Sequence, residues 1–198
     1  MAKTNTNPSC EPKLLLTGRE ILANLDLART RCEFRFDACI IRDFGDLEIK
    51  QFSLGKLQEL GLVPESAKIQ DFAGEMEVVR RVFSSSEPEN RAGLGWHIDD
   101  CQLVSKKTPP SFNPERFIHL YEDQWLYING ARSRIPRWTM ILYLSTEGRD
   151  FEGGRFRLAD GREWQTVAGL GLLIDSREVH MVSPVKSGTR KSIIIKIY

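Results

Sequence analysis

The sequence predicts a mainly β fold, a β-sandwich or barrel, with helices and a strand flanking its N-terminal side. From residue 91 onward, short apolar segments alternate with turn residues, a pattern typical of many antiparallel strands. One of these turns, Asp160-Gly161, separates two short strand patterns and is a strong hairpin signal. Upstream of residue 91 the apolar spacing changes between strand and helix periods, which predicts a mixed buttress against the β core.

The buttress is expected within residues 14–90, behind a tail of residues 1–13. The tail is polar, contains Asn, Thr, Ser and Pro, and has no apolar segment resembling a signal peptide, so we expect it to be loose. Thr17, followed three residues later by Glu20, predicts the start of a helix, because the two side chains can cap backbone amides reciprocally.

Two further segments of the buttress have different periodicities. Residues 32–41 alternate apolar and polar side chains, which predicts a half-buried strand. In residues 74–83, Met76, Val79 and Phe83 recur at helical spacing and predict an amphipathic helix that packs on the sheet.

The β core is expected over residues 91–198, as one domain with the buttress, and it contains an insert at 100–137. The first half of the insert is rich in Lys, Ser and Pro, which predicts a long loop of the kind that often forms a lid. Its second half predicts a hairpin over residues 117–128. Beyond the insert, Gly153-Gly154 predicts a bend, and residues 186–189 predict the turn into the C-terminal strand.

Composition limits the class of partner. The chain has 198 residues, is 41% hydrophobic and 28% charged, and carries a formal net charge of +1, so no polyanionic partner such as nucleic acid is indicated. No apolar run has the length of a membrane span. The four cysteines form no CxxC pair; we expect free thiols and a reducing, cytoplasmic location.

Two of the three histidines stand where a single metal ion could use them. His97 and Asp99 form a His-x-Asp step, and alternate residues of a strand face the same side, which favours Asp99 over Asp100 as a ligand. His180 lies far downstream, and Arg190 follows it ten residues later. Each signal is weak alone, but two imidazoles and one carboxylate with open coordination positions are typical of non-haem Fe(II) oxygenases. A nearby arginine would hold the carboxylate of an organic co-substrate.

On these residues the chain resembles the Fe(II)/2-oxoglutarate-dependent oxygenases, most closely their prolyl 4-hydroxylase-like branch. The resemblance runs from about residue 93 to the C-terminus. Besides the residues just named, it includes an apolar strand at 141–145, Phe-Glu-Gly-Gly at 151–154 and a second apolar strand at 171–175. It implies a double-stranded β-helix, a form of jelly roll, with helices flanking it.

The resemblance also implies roles for individual residues. His97, Asp99 and His180 would bind Fe(II), and Arg190 would pair with the distal carboxylate of 2-oxoglutarate. The implied cofactor is Fe(II), the co-substrates are 2-oxoglutarate and O2, and ascorbate is a further candidate. By the same resemblance, His97, Asp99, His180 and Arg190 would be the catalytic residues of a hydroxylase.

Two more residues match positions that bind 2-oxoglutarate in this superfamily. Tyr143 matches a tyrosine that often hydrogen-bonds the distal carboxylate, and Ser192 looks like the serine of an Arg-x-Ser pair. The chain departs from the branch in two respects: many of its members have lysine where this chain has Arg190, and the insert at 100–137 is longer than in compact members.

The function implied by the resemblance is hydroxylation of a substrate C–H bond, with 2-oxoglutarate converted to succinate and CO2. The first candidate substrate is a prolyl or other residue of a protein or peptide. The same metal centre would also suit a free amino acid or another small molecule, and the ligands do not separate these two alternatives. A third alternative, of a different class, is a jelly-roll protein that holds metal without turnover.

Overall fold

In the computed structural model, residues 32–88, 91–99, 101–104, 117–121, 124–128 and 135–198 are described. For the strands of the insert, within residues 101–128, the description covers the backbone only. The predicted tail, the predicted helix start at Thr17 and the long loop of the insert lie outside these residues.

The described residues confirm a mainly β architecture. In chain order the elements are β1 (Cys32–Arg35), α1 (Ala38–Arg42), α2 (Asp46–Glu59), a 3-10 helix (Ile69–Phe72), β2 (Met76–Ser84), β3 (Leu94–His97), β4 (Cys101–Val104), β5 (Phe117–Tyr121), β6 (Gln124–Ile128), β7 (Trp138–Tyr143), β8 (Phe151–Gly153), β9 (Phe156–Leu158), β10 (Glu163–Trp164), β11 (Leu170–Asp175), β12 (His180–Val182) and β13 (Val185–Ile197). None of the described helices is long and apolar enough to cross a membrane.

Two antiparallel sheets enclose the interior. The larger sheet has the strand order β1-β11-β7-β13-β2, with β8 pairing to β13, and the smaller has the order β10-β9-β12-β3. Side chains from both sheets pack in one buried apolar cluster, as expected for the predicted jelly roll. The predicted hairpin of the insert is also present: β5 pairs with β6, and β4 pairs with the other edge of β6.

Strand alternation gives the larger sheet two different faces. On β13, Ile193, Ile195 and Ile197 belong to the apolar cluster on the outer face, whereas Arg190 and Ile194 line the interior. Successive side chains of a strand point to opposite sides, so one run of residues serves both faces. The interior face can therefore carry functional groups while the outer face binds the sheet to the helices.

The helix α2 covers the outer face of the larger sheet. It begins after Gly45, whose backbone N–H donates to the Glu48 carboxylate at 2.7 Å and is thereby capped. Ile49, Leu54 and Leu57 are buried and belong to the same apolar cluster as the outer residues of β13. The predicted helical buttress is thus confirmed at this position.

The predicted amphipathic helix over residues 74–83 is wrong, because this segment is strand β2. Its nine residues pair one by one with β13, from Met76 opposite Ile197 to Ser84 opposite Thr189. Residues four apart share a face in a strand as well as in a helix, so the spacing of Val79 and Phe83 does not separate the two structures. Pairing with a long partner strand decides between them.

The strand predicted over residues 32–41 is confirmed only for its first part, β1. The next residues form α1, because Asp37 caps its N-terminus: the carboxylate accepts a hydrogen bond from the Cys39 amide at 2.8 Å. An aspartate whose side chain binds its own downstream backbone favours a helix start over continued strand pairing.

The turn predicted at residues 186–189 is wrong, because these residues lie inside β13 and the chain reverses at Ser183 and Pro184. Gly188 has a φ of +74°, and a Cβ there would come within 2.2 Å of the Asp150 carbonyl oxygen. The glycine therefore permits a close approach of two strands rather than a turn. The predicted bend at Gly153-Gly154 is confirmed, with φ values of +78° and +63°, and so is the Asp160-Gly161 hairpin between β9 and β10.

Candidate metal and co-substrate site

The three predicted metal ligands meet at one end of the smaller sheet. His97 ends β3 and His180 begins β12, and the two residues are direct partners across this antiparallel pair. Their ring centroids lie 4.2 Å apart. Asp99 follows β3, and its Oδ1 lies 3.8 Å from His180 Nε2. One candidate ligand atom from each residue lies within 4.8 Å of the others.

The predicted His-x-Asp geometry is therefore present. Ile98, between the two candidate ligands, is buried at 5% exposure, while its neighbours turn toward the cavity. His180 lies on the neighbouring strand of the same sheet as His97.

Backbone carbonyl groups set the tautomer of both imidazoles. His97 Nδ1 lies 2.7 Å from the Gly95 carbonyl oxygen, and His180 Nδ1 lies 2.7 Å from the Glu178 carbonyl oxygen. A carbonyl oxygen only accepts hydrogen bonds, so Nδ1 of each ring must donate the proton. Nε2 then carries a free lone pair, which is the arrangement that a metal-binding histidine needs.

The larger sheet orients the carboxylate. Thr139, on β7, donates its hydroxyl proton to Asp99 Oδ2. The Thr139 hydroxyl also lies 2.8 Å from that of Ser176, so the latter must donate to it. All three side chains are buried, and the contacts leave Asp99 Oδ1 directed toward His180. Neither hydroxyl residue was predicted from the sequence, where the one available signal was a threonine inside the otherwise apolar strand β7.

Burial keeps His97 neutral in the metal-free protein. Its pKa is lowered from 6.5 to about 4, chiefly by burial and next by the neighbouring His180, with a smaller contribution from the positive charge of Arg81. At neutral pH the imidazole is therefore unprotonated and available to a cation.

This low pKa predicts an acid-sensitive metal-free state. Between about pH 6.5 and pH 4 the unfolded chain binds a proton at His97 that the folded chain does not, so acidification through this range lowers the free energy of unfolding. We expect urea titrations at pH 7 and pH 5 to show a smaller loss of stability in metal-free His97→Gln than in the wild type. Equal losses of stability in the two proteins would show that His97 does not cause the acid sensitivity.

The Thr139 hydroxyl is expected to determine metal affinity. Thr139→Val keeps the shape of the side chain but removes the hydrogen bond to Asp99, and loss of such a partner typically lowers metal affinity about 10- to 100-fold. Fe(II) or Mn(II) titration measures the change. Thr166→Val is the matched control, because Thr166 is equally buried but its hydroxyl has no hydrogen-bond partner in the described part of the chain. The prediction fails if both variants bind metal like the wild type.

Arg190 is a buried cation beside the ligand cluster. It is 1% exposed, and its guanidinium lies 5.7 Å from the ring centroid of Phe83 and 5.2 Å from that of Tyr143. Its Nη1 donates to the Ser192 hydroxyl at 3.2 Å. Burial lowers the pKa of Arg190 and raises that of Tyr143 to about 12. The phenol is therefore neutral at pH 7, and a guanidinium keeps its proton in proteins even when it is buried.

The surroundings of Arg190 fit an anionic ligand. Arg190 Nε and the Tyr143 hydroxyl are buried without a hydrogen-bond partner among the described residues. Buried donors in this state are costly, and a carboxylate that accepts from both would remove the cost. Gly154 provides space, since a Cβ there would lie 2.9 Å from Arg190 Cδ. The three residues predicted to hold 2-oxoglutarate thus lie together.

A single cavity connects the ligand cluster with Arg190. It has a volume of about 550 Å³ and lies between the two sheets. Its walls are largely apolar, with charged groups at separate points. Its lining includes Val79, Arg81, Leu94, Trp96, Ile194 and Lys196.

The family model for the 2OG-Fe(II) oxygenase superfamily matches residues 83–198, more than half of the chain. The chain belongs to this superfamily. The expected family is confirmed, and with it Fe(II), for which the His-Asp-His cluster is suited, and 2-oxoglutarate as the co-substrate.

Among solved structures, the chain is similar to the viral collagen prolyl hydroxylase of Paramecium Bursaria Chlorella virus-1, with 13% identity, a TM-score of 0.42, and coverage of 87% of this chain and 82% of the other. It is also similar to a Pseudomonas putida prolyl-4-hydroxylase, with 15% identity, a TM-score of 0.40, and coverage of 89% and 93%. No curated protein matches the chain significantly. Both structural likenesses are distant.

Proposed function

We propose that the chain is an Fe(II)- and 2-oxoglutarate-dependent dioxygenase that hydroxylates a C–H bond of its substrate, with release of succinate and CO2. The observation that carries the proposal is the position of Arg190. A buried guanidinium with an unsatisfied Nε faces the same cavity as two imidazoles and one carboxylate. A protein that only stored metal would have no use for this second, anion-binding half of the site.

In this proposal the chain's own residues position the reactants. The two Nε2 atoms and Asp99 Oδ1 would hold the metal, and their orientation is kept by the Gly95 and Glu178 carbonyl groups and the Thr139 hydroxyl. Together, bound Fe(II) and 2-oxoglutarate activate O2 and supply the oxidising power for hydroxylation. The apolar walls of the cavity exclude water and other oxidisable groups from the reaction.

Arg190 would receive the distal carboxylate of 2-oxoglutarate. The planar guanidinium offers paired N–H donors, and the Tyr143 hydroxyl offers a further donor. Ser192 accepts from Arg190 Nη1 and so directs the remaining N–H groups. Anchoring the co-substrate at its far end orients the opposite end toward the metal, which converts binding energy into correct positioning.

The proposed substrate is a prolyl or other residue of a protein or peptide. The sequence resemblance to the prolyl 4-hydroxylase-like branch supports this class. The alternative substrate is a free amino acid or another small molecule. The cavity volume of about 550 Å³ supports this second candidate, because small-molecule pockets typically measure about 300–1,000 Å³.

Succinate release tests the proposal. The purified protein is supplied with Fe(II), 2-oxoglutarate, O2 and ascorbate, and succinate is measured with and without candidate proline-containing peptides or free amino acids. We expect 2-oxoglutarate-dependent succinate release, and stimulation by one class of candidate. A protein that binds Fe(II) but releases no succinate with either class would instead support the non-catalytic alternative.

A further inference from the structure

A second arginine, Arg81, faces the cavity from strand β2. Val79, Arg81 and Phe83 are alternate residues of this strand and all line the cavity, as strand geometry requires. Arg81 lies opposite Ser192 on β13, yet unlike the buried Arg190 it is exposed. Its position is therefore the open part of the cavity, between solvent and the metal ligands.

Arg81 has no carboxylate partner in the described part of the chain, although its neighbour does. Arg80 points to the outer face, where its Nη1 lies 2.5 Å from Asp46 Oδ1 and its Nη2 donates to the Phe44 carbonyl oxygen at 2.9 Å. Adjacent arginines thus differ in one respect: the outer one is paired within the fold and the inner one is directed at the cavity.

When the charges in the described part of the cavity are added, the positive charge of Arg81 is left without a negative counterpart. Asp99 is the one acidic side chain among the described cavity residues, and it faces His180. Fe(II) and 2-oxoglutarate carry equal and opposite charges, so binding both does not change the sum. With the distal carboxylate of 2-oxoglutarate at Arg190, the cations that remain in the lining are Arg81 and Lys196. Lys196 lies opposite the acidic Glu77 on β2, whereas Arg81 lies opposite the uncharged Ser192. Arg81 is therefore a positive charge near an enclosed, low-dielectric region, where an anion is attracted most strongly.

We propose that Arg81 binds a carboxylate of the primary substrate, and that the substrate class is therefore carboxylate-bearing. This inference rests on the proposed function, because it assigns the 2-oxoglutarate site to Arg190. The guanidinium suits a forked contact with a carboxylate. Leu94 and Trp96, which are 39% and 43% exposed on the opposite sheet, provide an apolar surface for the body of the substrate.

The carboxylate has two sources that share this chemistry. It is either the α-carboxylate of a free amino acid or an acidic side chain beside the target residue of a peptide. Two pairs of probes separate them: L-proline with L-prolinamide, and N-acetyl-Pro-Glu-amide with N-acetyl-Pro-Gln-amide. Within each pair only the carboxylate changes, so the ratio of the two affinities reports the carboxylate contact.

The experiment uses the full chain loaded anaerobically with Fe(II) and 2-oxoglutarate, whose chelate is detected by visible absorption. Calorimetric titration with each probe then measures affinity in the wild type, in Arg81→Gln and in the control Arg80→Gln. In at least one pair we expect the acid to bind about 10-fold or more tightly than the amide, as a charged hydrogen bond predicts. Arg81→Gln should abolish the difference, and Arg80→Gln should retain it.

The outcomes distinguish this inference from the proposed function. If the chelate does not form in the wild type, the proposed function fails and this inference fails with it. If the chelate forms but acid and amide bind equally in both pairs, or neither binds, the role of Arg81 alone is overturned. Persistence of the acid preference in Arg81→Gln would also overturn it. A loss confined to one pair identifies the source of the carboxylate.

Discussion

His180→Ala is expected to reduce 2-oxoglutarate-dependent succinate release to background. His180 is 3% exposed and is the backbone partner of His97, so no other described side chain can take its place at the metal. Loss of a direct ligand should lower Fe(II) affinity by more than the about 10- to 100-fold that loss of an outer hydrogen-bond partner costs. Fe(II) titration and succinate assays on the same preparation measure both effects.

His180→Gln is the accompanying variant, because it fills most of the space and separates loss of the ligand from loss of packing. Circular dichroism of both variants verifies that the sheets are intact. Removal of His180 should also raise the pKa of His97, since the neighbouring imidazole contributes to its lowering. Succinate release at the wild-type rate in either folded variant would refute the ligand assignment.

Arg190→Met is expected to have opposite effects on co-substrate binding and on the stability of the ligand-free protein. Removing one partner of a buried charge pair costs about 2–5 kcal/mol of binding free energy, so 2-oxoglutarate affinity should fall at least about 30-fold. In the ligand-free protein, however, Arg190 has no carboxylate partner among the described residues. Replacing such a group by an apolar side chain of similar size is often neutral or stabilising by about 1–4 kcal/mol.

Thermal unfolding with and without 2-oxoglutarate, in the presence of Mn(II), measures both effects in one experiment. Wild-type protein should gain stability as 2-oxoglutarate is added, by about 2.7 kcal/mol at 100 times the dissociation constant. Arg190→Met should start at an equal or higher midpoint and gain less than about 1 kcal/mol at the same 2-oxoglutarate concentration. Arg190→Lys keeps the charge but loses the fork, so it should retain part of the gain. A normal gain in Arg190→Met would exclude the proposed anchor.

The two sheets contribute different parts of the site. The smaller sheet supplies both imidazoles, while the larger sheet supplies Thr139, which orients Asp99, and Arg190, which faces the same cavity. A change in the distance between the sheets would therefore alter both halves of the site at once.

The elements that were predicted correctly are those with a local signal. The Asp160-Gly161 hairpin and the Gly153-Gly154 bend depend on glycines with positive φ. Glycine adopts this conformation readily, so its presence in the sequence is itself the signal. The segment at 74–83 was misassigned because its spacing fits a helix and a strand equally, and only β13 decides the outcome. The segment at 186–189 was misassigned because its glycine serves a contact with Asp150, which is distant in the sequence.

The sequence alone determined the residue types of the site. Iron requires nitrogen and oxygen donors, and the chain has only three histidines; a carboxylate ligand requires a cation such as Arg190. The tertiary structure alone decided the rest. Thr139 and Ser176 orient the carboxylate, and Arg81 faces the cavity while Arg80 faces outward. The physical reason is that hydrogen-bond partners and unpaired charges depend on which strands become neighbours, and strand pairing joins residues that no local pattern connects.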